Sequence, residues 1–319
     1  MKSSHDPSMS ASVRPSGGQS LSVIGLFAFV VIAWSLNWVV MKLAVADVPP
    51  LWAVTIRTAL AAAVLVPALL AVGQLALPPR GDYPIVLVIA FFHMVAFAAL
   101  MTAGLIIAPA GRVIVLGYTT PLWVAPAAFV LLGERVTKRQ TAGIGLGMVG
   151  LLLLAGPGAI DWGNGQAVLG NALPLLAALC WSVSIIAIRG HRWTATPFQL
   201  LPWQCLVATG VLATLAFFIE GPPPLRIGTP ALLALFYNGV IGTALGYWAM
   251  TVVNRRVPAA TAALGVLVTP ALGIGLASVI LGEGLDPTLL ISATVIAAGV
   301  LIGRSPPAPS TPRSPRLDG

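Results

Sequence analysis

Charge is what this chain lacks. Only 8% of its 319 residues are Asp, Glu, Lys or Arg, against about 25% in an ordinary soluble domain. Polar side chains therefore cannot cover a water-facing surface. Acid is scarcest, with nine carboxylates in all, none of them in the middle of an apolar run. That removes the paired carboxylates, and the His/Asp/Glu clusters, from which a membrane-embedded hydrolytic site would be built. Cysteine is scarce too. Cys180 and Cys205 lie inside apolar runs with no ligand spacing, so they read as packing residues and not as a metal site or a disulfide framework. No ATP-binding motif occurs, which excludes a self-contained pump, and nothing in the sequence asks for a cofactor or a metal.

Hydrocarbon is abundant instead. Hydrophobic residues make up 58% of the chain and the mean hydropathy is +0.95, so the lipid bilayer is the expected solvent. The net charge of +8 could point to nucleic acid, but the basic residues form no single patch with interleaved aromatics, and nucleic acid is not expected as a partner.

A helix needs about 20 apolar residues to cross the hydrocarbon core. Ten stretches qualify: 21–42, 50–72, 83–105, 109–132, 140–156, 168–188, 198–219, 230–251, 257–281 and 287–303. Short connections with turn signals separate them, such as "LPPRGDYP" from Leu77 and "GPPPLRIGTP" from Gly221. The ends, 1–20 and 304–319, are rich in Ser, Pro and Gly and are expected to be disordered. The first stretch is too long, and too rich in Trp and Asn, for a secretory signal, although "AVA" at 44–46 resembles a cleavage site. Lys and Arg fix the expected orientation. With the N-terminus in the cytoplasm, thirteen of them fall on the cytoplasmic side. Three (Lys42, Arg112 and Arg226) fall on the other, and Arg57 lies within a span. Both termini are thus expected in the cytoplasm, with the chain in a bacterial inner (plasma) membrane.

The chain writes one unusual phrase twice. "TTPLWVAPAAFVLLGE" ends at Glu134 and "VTPALGIGLASVILGE" ends at Glu283. An offset of 149 residues relates Pro121 to Pro270, Pro109-Ala110 to Pro258-Ala259, Met101-Thr102 to Met250-Thr251 and Gly150 to Gly299. An offset of 147 relates Trp34-Ser35 to Trp181-Ser182. Each half, 21–156 and 168–303, holds five stretches, with 157–167 as an extracytoplasmic linker. Five is odd, so the second half enters the membrane inverted, the construction that many secondary transporters use for alternating access.

On these residues the sequence resembles the EamA-type branch of the drug/metabolite transporter superfamily, over nearly all of 21–303. The resemblance implies an all-α membrane protein: ten transmembrane helices in two inverted five-helix repeats around a central cavity. It also implies transport of small metabolites such as amino acids. One departure is visible. Gly143 stands nine residues after the first Glu where Ser292 follows the second, a difference that bears on helix packing.

Several polar and aromatic residues inside the spans are candidates for substrate contact. Trp34 and Asn37 are spaced i, i+3 and share a face, and Trp181 and Ser184 repeat that spacing. Tyr118, Tyr247 and Trp248 join them as candidate lining, although aromatics also settle in interfacial belts. Arg57 has no carboxylate in any span to pair with. It either snorkels to the surface or recognises an anion such as a substrate carboxylate, and its counterpart at offset 147, Gln204, is also polar. His93 is either a hydrogen-bonded core residue or the one titratable group able to carry a proton. Pro121 and Pro270 free the carbonyls of Gly117 and Val266, as static kinks or as hinges. Glu134 and Glu283 are expected to make helix-end hydrogen bonds. The glycine runs "GIGLG" from Gly143 and "LGIG" from Leu272 follow no strand and contain no Lys, so they serve close helix packing and not phosphate binding.

The leading expectation is a secondary transporter for a small metabolite, an exporter or facilitator acting as monomer or homodimer. Proton-coupled efflux through His93 is the alternative. A channel is disfavoured because no span carries a continuous polar stripe.

Overall fold

The computed structural model describes residues 17–133, 137–154, 160–256 and 268–303. Seven helical stretches in it are long and apolar enough to cross a membrane: Ser22–Ala44, Pro50–Ala71, Arg80–Ile107, Ala110–Leu132, Gly165–Gly190, Pro197–Glu220 and Thr229–Val253. Lys138–Leu154, Val268–Leu281 and Pro287–Ile302 are shorter. Residues 257–267, which the sequence assigns to the ninth span, lie outside the described residues, as do Glu134 and the expected disordered ends beyond 17 and 303.

In chain order the helices are α1 (Gly17–Ala44), α2 (Pro50–Ala71), α3 (Tyr83–Val88), α4 (Ala98–Ile107), α5 (Ala110–Gly117), α6 (Thr120–Leu132), α7 (Lys138–Leu154), α8 (Gly165–Gly190), α9 (Pro197–Glu220), α10 (Thr229–Phe236), α11 (Gly246–Arg256), α12 (Val268–Leu281) and α13 (Pro287–Ile302). Proline stands in the first turn of α2, α9, α10 and α13, where its missing N–H costs nothing. Thr196 and Gln199 cap α9 reciprocally. The repeated Leu-Gly-Glu has a conformational cause. Gly133 and Gly282 have φ of 66° and 68°, the left-handed region that ends a helix and that a Cβ disfavours.

Two π-helical segments of nine residues each, Ile89–Phe97 and Tyr237–Leu245, interrupt the third and eighth of the ten spans expected from the sequence. They begin, and end, 148 residues apart, so each repeat carries one at the same place. In the second segment the widened turn lets Thr243 Oγ1 donate to the carbonyl of Asn238, five residues back, at 2.8 Å. Segments of this kind are rare and concentrate at functional sites.

Packing is tightest where side chains are smallest, as expected when lipid removes the hydrophobic drive between helices. α7 and α13 meet backbone to backbone. A Cβ on Gly299 would fall 2.5 Å from the N of Gly147, and one on Gly143 would meet Gly303. α1 packs against α10, the second π segment, α11 and α12, while α2 pairs with α9. Large apolar side chains point outward, Phe218 at 81% and Val279 at 84% exposure, as a lipid-facing surface requires.

Candidate functional site

A cavity of about 430 Å³ opens between the two repeats, within the range of small-molecule pockets. α1 contributes Trp34, Asn37 and Trp38, which share one helical face at i, i+3 and i+4. α2 contributes Arg57, the first π segment His93 and Phe97, α8 Trp181, and α9 Gln204. Tyr118 enters from the break between α5 and α6. Gly242, Thr243 and Tyr247 come from the second π segment and the start of α11.

Glycine makes that last wall possible. A side chain on Gly242 would collide with Asn37, and one on Gly246 would come 2.7 Å from Trp34 Nε1. With both bare, α1 lies directly on the eighth span, and Trp34 Nε1 donates to the carbonyl of Gly242 at 3.0 Å. Tyr237 ties the same two elements, its hydroxyl donating to the carbonyl of Ala33 at 3.1 Å.

The aromatic groups form a connected wall. His93 stacks on Trp181, 5.4 Å between centroids and 8° between planes, and Phe97 lies 4.9 Å from the same indole. The His93 Nε2 and the Tyr247 hydroxyl share a hydrogen bond at 3.2 Å, and Tyr247 lies 5.6 Å from Trp34. Tyr118 stands edge-on to Trp181 at 6.1 Å. His93 is thus hydrogen-bonded and stacked, as a core residue would be, yet it faces the cavity.

Arg57 is 7% exposed and its Nε has no hydrogen-bond partner among the described residues. It lies near enough to His93, Tyr247 and Cys205 for its charge to act on each. Among the described residues, no acidic side chain lines the cavity.

Eight of the ten side chains singled out from the sequence border this one cavity, and two do not. Trp248 is 42% exposed on the outside of the bundle, because successive helical residues point about 100° apart and Tyr247 takes the inward direction. Ser184 is fully buried with an unpartnered hydroxyl, away from the cavity. Pro121 sits in the first turn of α6, so the fourth span is broken rather than bent. The carbonyl it frees is covered by a hydroxyl, Thr120 Oγ1 donating to Gly117 at 2.9 Å, while Thr119 Oγ1 adds to its own backbone N–H on the carbonyl of Leu116 at 2.6 Å. Pro270 lies in the first turn of α12, and its carbonyl partner Val266 is outside the described residues. Trp193, from the connection between α8 and α9, and Phe97 also line the cavity. Phe97 was readable as the i+4 neighbour of His93, whereas periodicity gives no path for a loop.

The chain belongs to the EamA-like transporter family, which it matches twice, over residues 21–156 and 168–303. It is a multi-pass membrane transporter and not an enzyme. It is 30% identical over 291 residues to a probable amino-acid metabolite efflux pump of Salmonella typhimurium strain LT2, covering 87% of this chain and 93% of the relative. The protein of the same description in Escherichia coli K12 is 29% identical, at 87% and 93% coverage. An uncharacterized transporter of Bacillus subtilis, YoaV, is 22% identical over 86% of this chain and 93% of its own. A solved crystal structure shares the fold with a TM-score of 0.61 at 23% identity, covering 88% of this chain and 96% of that one.

Proposed function

We propose that the chain is a secondary transporter that moves a small amphiphilic metabolite, an amino acid or a relative of one, across the bacterial inner membrane by alternating access. In this reading both termini are cytoplasmic, the unit is a monomer or homodimer, and the direction is export or facilitated exit. The observation that carries it is the symmetry of the cavity. Trp34 and Trp181, and Arg57 and Gln204, are repeat counterparts at an offset of 147 residues, and all four line the same space. A site shared equally by two inverted repeats is the geometry in which rocking one repeat against the other exposes the cargo to each side in turn.

The relatives named as amino-acid metabolite efflux pumps support a metabolite of this size. The test is counterflow in proteoliposomes. Saturable exchange that Trp181→Ala weakens in apparent affinity is expected. Flux that is linear in concentration, or that persists unchanged in Trp181→Ala, would remove the carrier reading.

A further inference from the structure

We infer that the cargo is an organic monoanion: a carboxylate on an apolar body, with no free ammonium group. The inference rests on the transporter reading and narrows its cargo, from an amino acid or a relative of one, to a relative that keeps the carboxylate and lacks the free ammonium. Arg57 supplies the first reason. A guanidinium carries five donors in a planar fork suited to a carboxylate. This one is 7% exposed at the cavity wall, and its Nε has no hydrogen-bond partner among the described residues. A buried cation without a counter-ion is unfavourable, so Arg57 at this wall favours an anion.

The second reason is where the acid of the chain is engaged. Asp82 accepts from the backbone of Thr194 and Ala195 and shares a hydrogen bond with His191. Glu220 accepts from the backbone of Leu51 and Trp52. Glu283 is held by Lys42 and the start of α5, and Asp286 caps α13. Among the described residues none of the acidic side chains reaches the cavity.

Charge then decides between ligand classes. With a bound monoanion the occupied site is neutral. A zwitterionic amino acid can offer Arg57 the same carboxylate, but its ammonium then meets no acidic lining residue among the described residues, and the occupied site keeps a net positive charge. A cation adds a second positive charge in a low-dielectric space. The remaining lining fits a neutral amphiphile body. The amides of Asn37 and Gln204 border the cavity and suit a carbonyl, amide or hydroxyl on the ligand. The wall of Trp34, Phe97 and Trp181 takes apolar or aromatic bulk.

Three probes with one aromatic body separate the classes: N-acetylphenylalanine (anion), phenylalanine (zwitterion) and phenylalanine amide (cation). Binding to the purified protein is read by tryptophan fluorescence and by thermal shift. Flux is read in vesicles of phosphatidylcholine, so that no anionic lipid competes for Arg57. Expected is binding of the anion at least tenfold tighter than of the other two. Arg57→Gln should lose that preference while raising the melting temperature of the ligand-free protein, because an unpaired buried charge is gone. Arg57→Lys should retain a weakened preference. Equal or tighter binding of phenylalanine or its amide, binding of none of the three, or an unchanged preference in Arg57→Gln overturns the assignment. Anion binding without any flux would instead sink the transporter reading and leave the charge class standing. Arg57-independent flux of the zwitterion would do the reverse.

Discussion

Lys42, in the last turn of α1, stands 3.2 Å from Glu283, just beyond the end of α12 in the other repeat. The same lysine donates to the carbonyl of Ala108 at 2.8 Å. Glu283 accepts from the backbone N–H of Ala110 at 2.6 Å and of Gly111 at 3.0 Å, the two free donors at the start of α5. A negative charge belongs at a helix N-terminus. The second copy of the repeated phrase therefore ends by gripping the first repeat, and the helix-end role read from the sequence holds for Glu283. Glu134 lies outside the described residues.

That grip lies away from Trp193 and Pro197, the residues that extend the cavity toward the α8–α9 connection. Glu283→Ala leaves two helix-start donors and Lys42 without their acceptor, and the loss should be about 1–3 kcal/mol of stability. Glu283→Gln, which can still accept, should cost less. The expected readouts are a lower unfolding midpoint in detergent and faster labelling of a cysteine placed at Trp38 in a background without Cys180 and Cys205. Labelling of that cysteine at the parental rate in Glu283→Ala would show that the contact closes nothing.

Packing of α7 on α13 gives a second expectation. A Cβ on Gly299 meets backbone atoms of Gly147 at 2.5 to 2.9 Å, and backbone cannot swing aside as a side chain end can. Gly299→Val should push the helices apart at a cost of about 1–3 kcal/mol. Gly145→Val, on a face with no neighbour within 4 Å, should be tolerated. Comparable folded yields of the two variants would contradict the close-packing reading of the glycine runs.

Much of this was legible in the sequence. The two repeats follow from a fixed offset, and eight cavity residues follow from polarity and aromaticity inside apolar spans. The π segments were not legible, because a shift from i−4 to i−5 bonding leaves the same apolar residues in place and writes no chemical signature. Trp248 was misjudged because residue type carries no helical phase, whereas its neighbour Tyr247 happened to point inward. At Pro121 the sequence predicts a freed Gly117 carbonyl correctly, but the answer lies in Thr119 and Thr120, whose hydroxyls stabilise a break that proline alone would leave as a bend.

The break has a functional consequence. Tyr118 enters the cavity from the two residues between α5 and α6, where the backbone is released from regular helix. Pro121 sits in the first turn of α6, so Pro121→Ala removes no native hydrogen bond and should change stability by less than about 1 kcal/mol. It does permit helix to continue through Thr119, turning Tyr118 away from Trp181. Turnover in counterflow should therefore fall several-fold with little change in the unfolding midpoint. The reverse pattern, a destabilised protein with parental turnover per folded molecule, would assign Pro121 to packing alone.

The final expectation concerns the driving force. With a fixed cation at the cavity, no acidic side chain among the described residues lining it, and His93 committed to Trp181 and Tyr247, an anionic cargo travels without an accompanying proton. Each cycle then moves one net negative charge. A potential of 100 mV is worth ~2.3 kcal/mol per charge, or about a 50-fold concentration ratio at ~1.4 kcal/mol per tenfold. A membrane negative on the cytoplasmic side would thus drive such a cargo outward with no other coupling ion. In proteoliposomes, a potassium diffusion potential positive inside should accumulate N-acetylphenylalanine, and reversing its sign should expel it. A pH gradient with the potential clamped at zero should accumulate none. His93→Gln removes the one imidazole that lines the cavity among the described residues, and it should reduce flux without abolishing the response to potential. Accumulation driven by the pH gradient, collapsed by a protonophore and lost in His93→Gln, would replace this mechanism with histidine-coupled exchange.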